Sequence, residues 1–344
     1  MQQNKNAEIR VPAIAGIQSD KPYYAAMCPI EFLVKLFKYE DPTLPPAMRT
    51  QRILNKSRIP EMRDYVLSGN YTFSALTASI DGRYDFLPSS KSASTGTLRI
   101  DATAKVIIND GQHRREALLK ALEINPELRN EHIVIVFYKA EGIEQAQQIF
   151  TDLNKHAIRP TKSLNILFDN RENFSKMVRE TIATVEGFNG RTELEKTTIS
   201  NRSKNIYTLS GIYSSIEEFT RNLKLSEEEL QMLVVKFYSS AYENVVEWKK
   251  VVAEEISPCD YRQSYVTAHA VFIKALGKVG RVLFDRYGES AVTKTKNLYN
   301  INLRKDNNDL QGIIMHGKRI NGAAVSIEPL ANYILKKMGE EPIC

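Results

Sequence analysis

Cysteine and tryptophan are scarce in this chain of 344 residues, with three of the first and one of the second. Cys28, Cys259 and Cys344 are odd in number and widely spaced, which excludes a cysteine-based zinc module and suits a reducing cytoplasm. The histidines (His113, His132, His156, His269 and His316) show no metal-ligand spacing, so zinc chemistry has no histidine route either. No G-x-S-x-G elbow, no Walker-type P-loop and no cysteine beside a histidine partner occurs. Charged residues interrupt every apolar run well short of membrane-spanning length. The opening residues MQQNKNAEIR lack an apolar h-region, so no secretory signal is expected. Internal repeats and low-complexity tracts are also missing. A cytoplasmic globular protein is expected, with no evident nucleophile and no membrane partner.

Hydrophobic residues make up 42% and charged residues 26%, ordinary values that allow two or three cores in a chain of this length. The net charge of +6 leans toward an anionic partner, and its distribution says more than its total. Residues 48–63 hold Arg49, Arg52, Lys56, Arg58 and Arg63 against the single acid Glu61. Residues 196–204 hold Lys196, Arg202 and Lys204 with no acid, set among Thr, Ser and Asn. The first cluster reads as a solvated helix face or as a phosphate-tracking surface; the second reads as a mobile polar loop or the same kind of surface. A later group (Arg304, Lys305, Lys318, Arg319) lies in a Gly/Asn-rich stretch, either a loop or a DNA-facing edge.

The most informative segment is 106–122, VIINDGQHRREALLKAL. A β-branched run (Val106, Ile107, Ile108) stops at Asp110-Gly111, and an Ala/Leu-rich helical run follows. Asp110 is suited to cap a helix and Gly111 to a backbone angle other residues avoid. Gln112, His113, Arg114 and Arg115 then fall in the first helical turn. Arginines there oppose the helix dipole unless they meet an anion or pair with a nearby carboxylate; a phosphate is the obvious anion. A second block, IFTDLNKHAIRPTKSLNIL at 149–167, ends an amphipathic helix whose Ile143, Ala146, Phe150 and Leu153 share one face. Asn154 is expected to end that helix and Pro160 to open the next, with Lys155, His156 and Arg159 on the connecting loop.

The DGQHR string resembles the signature of the DGQHR-domain proteins of DNA sulfur modification (phosphorothioation). Phe150, Asp152, Leu153, Asn154, Arg159, Pro160 and Ser163 resemble that family's second block. Residues 297–320 are similar to its late Asn/Gly-rich segment, although the usual tryptophans are missing and Trp248 lies elsewhere. The order of elements also resembles the ParB/sulfiredoxin-like fold. The resemblance implies an α+β chain: a mixed α/β DGQHR domain at 1–160 and a mainly helical domain at 161–344.

It also implies a DNA-binding regulator that represses the modification genes at their own promoter, with double-stranded DNA as its partner. In that role Asp110, Gly111, Gln112, His113, Arg114, Arg115, Asn154, Lys155 and Arg159 would bind phosphate or nucleic acid. Arg49, Arg52, Lys56, Arg58, Lys196, Arg202 and Lys204 would be further DNA contacts. Such a regulator needs no cofactor. The alternative is a nucleotidase or nuclease of the ParB/sulfiredoxin-like group, in which Asp110 and Asp152 hold magnesium beside ATP or CTP and His113 serves as acid/base. A third possibility is an adaptor docking on other sulfur-modification proteins through its helical half; in the regulator reading that half reads sequence or mediates self-association.

Strands are expected at 9–17, 23–28, 71–80, 97–100, 105–109 and 132–138, and helices at 29–38, 46–55 and 59–68. Past residue 160 the expected helices are 161–168, 172–186, 207–223, 226–255, 260–286 and 288–299. Ser226 followed by three glutamates predicts a capping box, and Leu230, Leu233, Val234, Phe237, Tyr238, Val245, Trp248 and Val251 predict a core seam.

Overall fold

The computed structural model describes residues 8–37, 54–155, 159–317 and 319–343. Arg49, Arg52, His156, Lys318 and Cys344, with most of the helix expected at 46–55, lie outside the described residues. The chain forms two compact units, 1–158 and 159–344. The α+β expectation holds: a mixed sheet lies in the N-terminal part and helices fill the C-terminal part.

The first unit contains β1 (Glu8–Gln18), β2 (Lys21–Pro29), α1 (Phe32–Leu36), α2 (Ile59–Leu67), β3 (Leu76–Asp81), β4 (Tyr84–Pro88), β5 (Thr95–Asp101), β6 (Lys105–Asp110), α3 (Gln112–Ile124), β7 (His132–Lys139) and α4 (Gly142–Lys155). Its seven-stranded sheet runs β4-β5-β1-β2-β7-β3-β6, antiparallel throughout except where β3 lies parallel to β7. β7 is the apolar HIVIVFYK run. Ile133, Ile135 and Phe137 are buried, and Val134, Val136 and Tyr138 on the other face are half-buried, as suits a central strand. The core gathers Val11, Ala26, Cys28, Leu33, Leu76, Ile80, Leu98, Ile135 and Phe137 with Leu118 of α3.

β6 closes one edge of the sheet and carries an irregularity. Thr77 pairs with Asp110 and Ala78 with Ile108, so Asn109 is an extra residue, a β-bulge. Asn109 is buried. Its Oδ1 accepts from Ser79 Oγ at 2.6 Å and its Nδ2 donates to the Ala146 carbonyl of α4 at 2.9 Å. The bulge thus fastens α4 to the strand that leads into the DGQHR turn.

The second unit is built from α5 (Lys162–Phe168), α6 (Asn173–Thr184), α7 (Leu209–Thr220), α8 (Glu227–Asn244), α9 (Val246–Val252), α10 (Pro258–Ser264), α11 (Ala270–Tyr287), α12 (Ala291–Lys294) and α13 (Ile327–Lys337), with the two-residue strands β8 (Thr192–Glu193) and β9 (Tyr207–Thr208). Trp248, Phe237, Tyr238, Phe219 and Phe272 are fully buried at its centre. α7 and α11 approach so closely that a Cβ on Gly277 would stand 2.2 Å from the Ser215 carbonyl oxygen, which admits only glycine there.

The capping box is present: Ser226 Oγ accepts from Glu229 N–H and Glu229 returns the bond to Ser226 N–H. Two long expected helices are broken. The 226–255 run stops at Asn244, resumes at Val246, and leaves Val245 extended at φ −102°. The break falls where Asn244 turns its amide to its own helix (Ser240 carbonyl, 2.7 Å) and two β-branched residues follow. The 260–286 run likewise splits between α10 and α11 at Tyr265–His269. Pro160 stands ahead of α5 rather than in its first turn, because Thr161 takes the N-cap and its Oγ accepts from Leu164 N–H.

Candidate nucleic-acid interface

The DGQHR turn is where β6 hands over to α3. Gly111 is the N-cap, at φ +100° and ψ 15°. A Cβ there would lie 2.4 Å from a Leu76 methyl and about 3 Å from the Arg114 guanidinium, so both backbone angle and space demand glycine. No side chain caps α3, and its first turn carries no acid. Asp110 is the last residue of β6 and does not cap; its Oδ2 accepts from Arg114 Nη2 at 2.7 Å.

Arg114 also donates to Ser74 Oγ, and its side chain is only 17% exposed. Arg115 turns inward. Its Nη2 donates to the Phe37 carbonyl at 3.4 Å, its guanidinium lies 5.8 Å from the Phe37 ring centroid, and its Nε is buried without a partner among the described residues. Burial lowers its pKa from the usual guanidinium value. Arg114 of the signature therefore holds the turn in place, Arg115 beside it reaches back to Phe37, and neither is a free surface cation.

His113 makes the long-range connection. Its Nε2 accepts the backbone N–H of Asn55 at 3.0 Å, so the ring is neutral with its proton on Nδ1. Burial pushes its pKa below the ordinary imidazole value, and the positive charge of Arg58 pushes it the same way. Asn55 in turn caps the short helical turn Lys56–Arg58 through Oδ1, which accepts from Ser57 N–H at 3.2 Å. Two basic segments far apart in sequence thus meet at one place. Lys56 and Arg58 are exposed there, and neither enters an ion pair among the described residues.

The chain matches the family model of DndB, described as DNA-sulfur modification-associated, over residues 11–341. It belongs to the DndB family. No curated protein and no solved structure matches it. Membership ties the chain to DNA sulfur modification.

Several residues of this DndB-family chain singled out from sequence sit apart from the turn's hydrogen-bond network. Asp152 Oδ1 accepts from Gln148 Nε2 at 2.7 Å, and Asn154 Nδ2 donates to the Phe150 carbonyl at 2.8 Å; Asp152 and Asn154 are exposed on the last turns of α4. Lys155 ends that helix in solvent, while Arg159 belongs to the second unit. Among the described residues no three His, Cys, Asp or Glu side chains converge as a metal group, and no helix is long and apolar enough to cross a membrane.

In the second unit, Lys196, Arg202 and Lys204 are exposed, and none enters an ion pair among the described residues. Of the later group, Arg304 pairs with Asp306 and Lys305 donates to the Arg262 carbonyl. Asn109, Ser74 and Asn55 shape the DGQHR turn without standing out in the sequence. Only Asn109 leaves a trace there, as a polar residue closing a β-branched run.

Proposed function

We propose that this chain is a DNA-binding regulator of a DNA phosphorothioation system, acting on the promoter of its own modification genes. The observation that carries this reading is the His113–Asn55 hydrogen bond. It sets the exposed cations Lys56 and Arg58 beside a helix N-terminus that has neither an acidic residue in its first turn nor a side-chain cap. A helix start carries partial positive charge and unpaired N–H groups, which together with exposed cations make a phosphate contact. The passage from β6 through Gly111 into α3 and the net charge of +6 support the same reading. Phosphate contacts supply affinity and register; base choice rests on other groups.

The test is fluorescence anisotropy on upstream and scrambled duplex DNA across a salt series. It is run with and without magnesium and ATP or CTP, while nucleotide hydrolysis is followed in parallel. The expected result is sequence-preferring binding that weakens steeply with salt, needs no nucleotide and shows no turnover. Weak, indifferent DNA binding with magnesium-dependent hydrolysis would replace the regulator with a nucleotide-hydrolysing enzyme.

A further inference from the structure

The basic loop of the second unit is held on every side. At its ends β8 and β9 pair in parallel, Thr192 with Tyr207 and Glu193 with Thr208. Within it, the Glu193 carboxylate accepts from the N–H groups of Glu195 (3.1 Å) and Lys196 (3.2 Å) and from Asn205 Nδ2 (3.3 Å). Ser163 Oγ of α5 donates to the Lys196 carbonyl at 2.9 Å. Beneath its far half lies Arg262 of α10, only 7% exposed. One of its terminal nitrogens donates to the Asn205 carbonyl and the other to the carbonyls of Asn201 and Ser203.

Arg262 has no acidic partner among the described residues, and its Nε is buried without a hydrogen bond. Its own carbonyl accepts from Lys305 Nζ and from His269 Nε2, so a second cation stands behind the first. A buried cation satisfied only by carbonyl oxygens is costly, and the cost rises with each further cation placed near it. This arrangement fixes a loop whose outward side chains are Lys196, Arg202 and Lys204, with the exposed Thr197, Thr198 and Asn201 between them. The exposed acid at the loop's near end is Glu195. Positive charge concentrated on a rigid rim with hydroxyl and amide donors matches a polyanion, and the ordering cost is met before binding.

We infer that the 196–204 loop is a second, pre-formed surface for the phosphate backbone of duplex DNA, and that Arg262 is its positioning residue. The inference rests on the DNA-binding reading above.

Three variants of the full chain test it on the upstream duplex: Lys196→Gln/Arg202→Gln/Lys204→Gln, Arg262→Gln, and all four changes together. The loop variant is expected to lower the slope of log K against log salt by about two to three, at about 0.9 for each phosphate no longer neutralised. Arg262→Gln keeps the three loop charges yet is expected to weaken binding about tenfold or more, since a loosened loop must be ordered on DNA. The fourfold variant should bind no worse than the loop variant alone, because Arg262 acts only through that loop. Additive losses would make Arg262 a merely structural residue and overturn its positioning role. Should Arg262→Gln fail to fold, the loop variant decides alone, as its positions are exposed. A wild-type slope in the loop variant, alongside a reduced slope in Lys56→Gln/Arg58→Gln, would sink the inference and leave the DNA-binding reading standing. Absence of duplex binding by the unaltered protein would remove both.

Discussion

Gly111 combines two constraints at a single residue. Its φ of +100° is a conformation that L side chains rarely adopt, and the space a Cβ would fill is already taken by Leu76. Gly111→Ala should therefore destabilise the first unit by about 2–4 kcal/mol, the sum of a left-handed backbone penalty and local overpacking. Urea unfolding followed by far-UV circular dichroism measures this, and wild-type stability would contradict the described turn. Around that glycine the polar and charged side chains of the first helical turn are spoken for. Arg114 holds Asp110 and Ser74, Arg115 reaches back to Phe37, and His113 accepts from Asn55. The turn and its glycine are legible in the sequence in physical terms. These partners are not, because each except Asp110 lies 40 or more residues away and the contacts form only on folding.

At the scale of elements, the Asn109 bulge joins strand to helix. Asn109→Ala would leave the buried Ser79 hydroxyl without its acceptor and cut the tie to α4, at a cost of about 1–3 kcal/mol. Hydrogen exchange should then quicken through α4 more than through α3; equal protection in both helices would show that the bulge does not hold α4. Elements with strong periodicity are legible. The pattern predicts a strand at 132–138, where β7 spans His132–Lys139, and a helix at 59–68, where α2 spans Ile59–Leu67. The capping box of α8 is legible because its signal lies within four residues. The breaks at Val245 and at Tyr265–His269 are not, since the apolar spacing runs on through both. β4 escapes the pattern as well: its burial alternates weakly, and edge pairing with β5 creates it. Sequence leaves the loop after α6 with two readings, mobile or phosphate-tracking, and its fastening by Arg262 comes from 57 or more residues further along the chain.

At the scale of the whole chain, each of the two units has its own core, and the only tryptophan is fully buried in the second. Trp248 fluorescence therefore reports unfolding of that unit. The same unit contains His269, whose pKa burial pushes down to about 4, with Lys305 and Arg262 adding repulsion. The unfolded chain takes up this proton near pH 6.5, before the folded one does. The stabilisation is thus complete above about pH 6.5 and is lost as pH falls from there to about 4, by a total of about 3 kcal/mol. Chemical unfolding read by Trp248 at several pH values should show this decline, and His269→Gln should flatten it. An equally steep decline in the variant would assign the acid sensitivity to other groups.

The sheet of the first unit also has an order of assembly written into it. β7 is its last strand in sequence, yet it lies in the middle, between β2 and β3. Until residue 139 has left the ribosome, the strands can make only two separate pieces, β4-β5-β1-β2 and β3-β6. The DGQHR turn belongs to the smaller piece. Pairings that bridge a hundred residues, such as Cys28 with Ile133, close slowly. The nascent chain therefore carries its signature motif on an isolated pair of strands while residues 115–139 are made, and acquires a rigid turn only when a single central strand arrives.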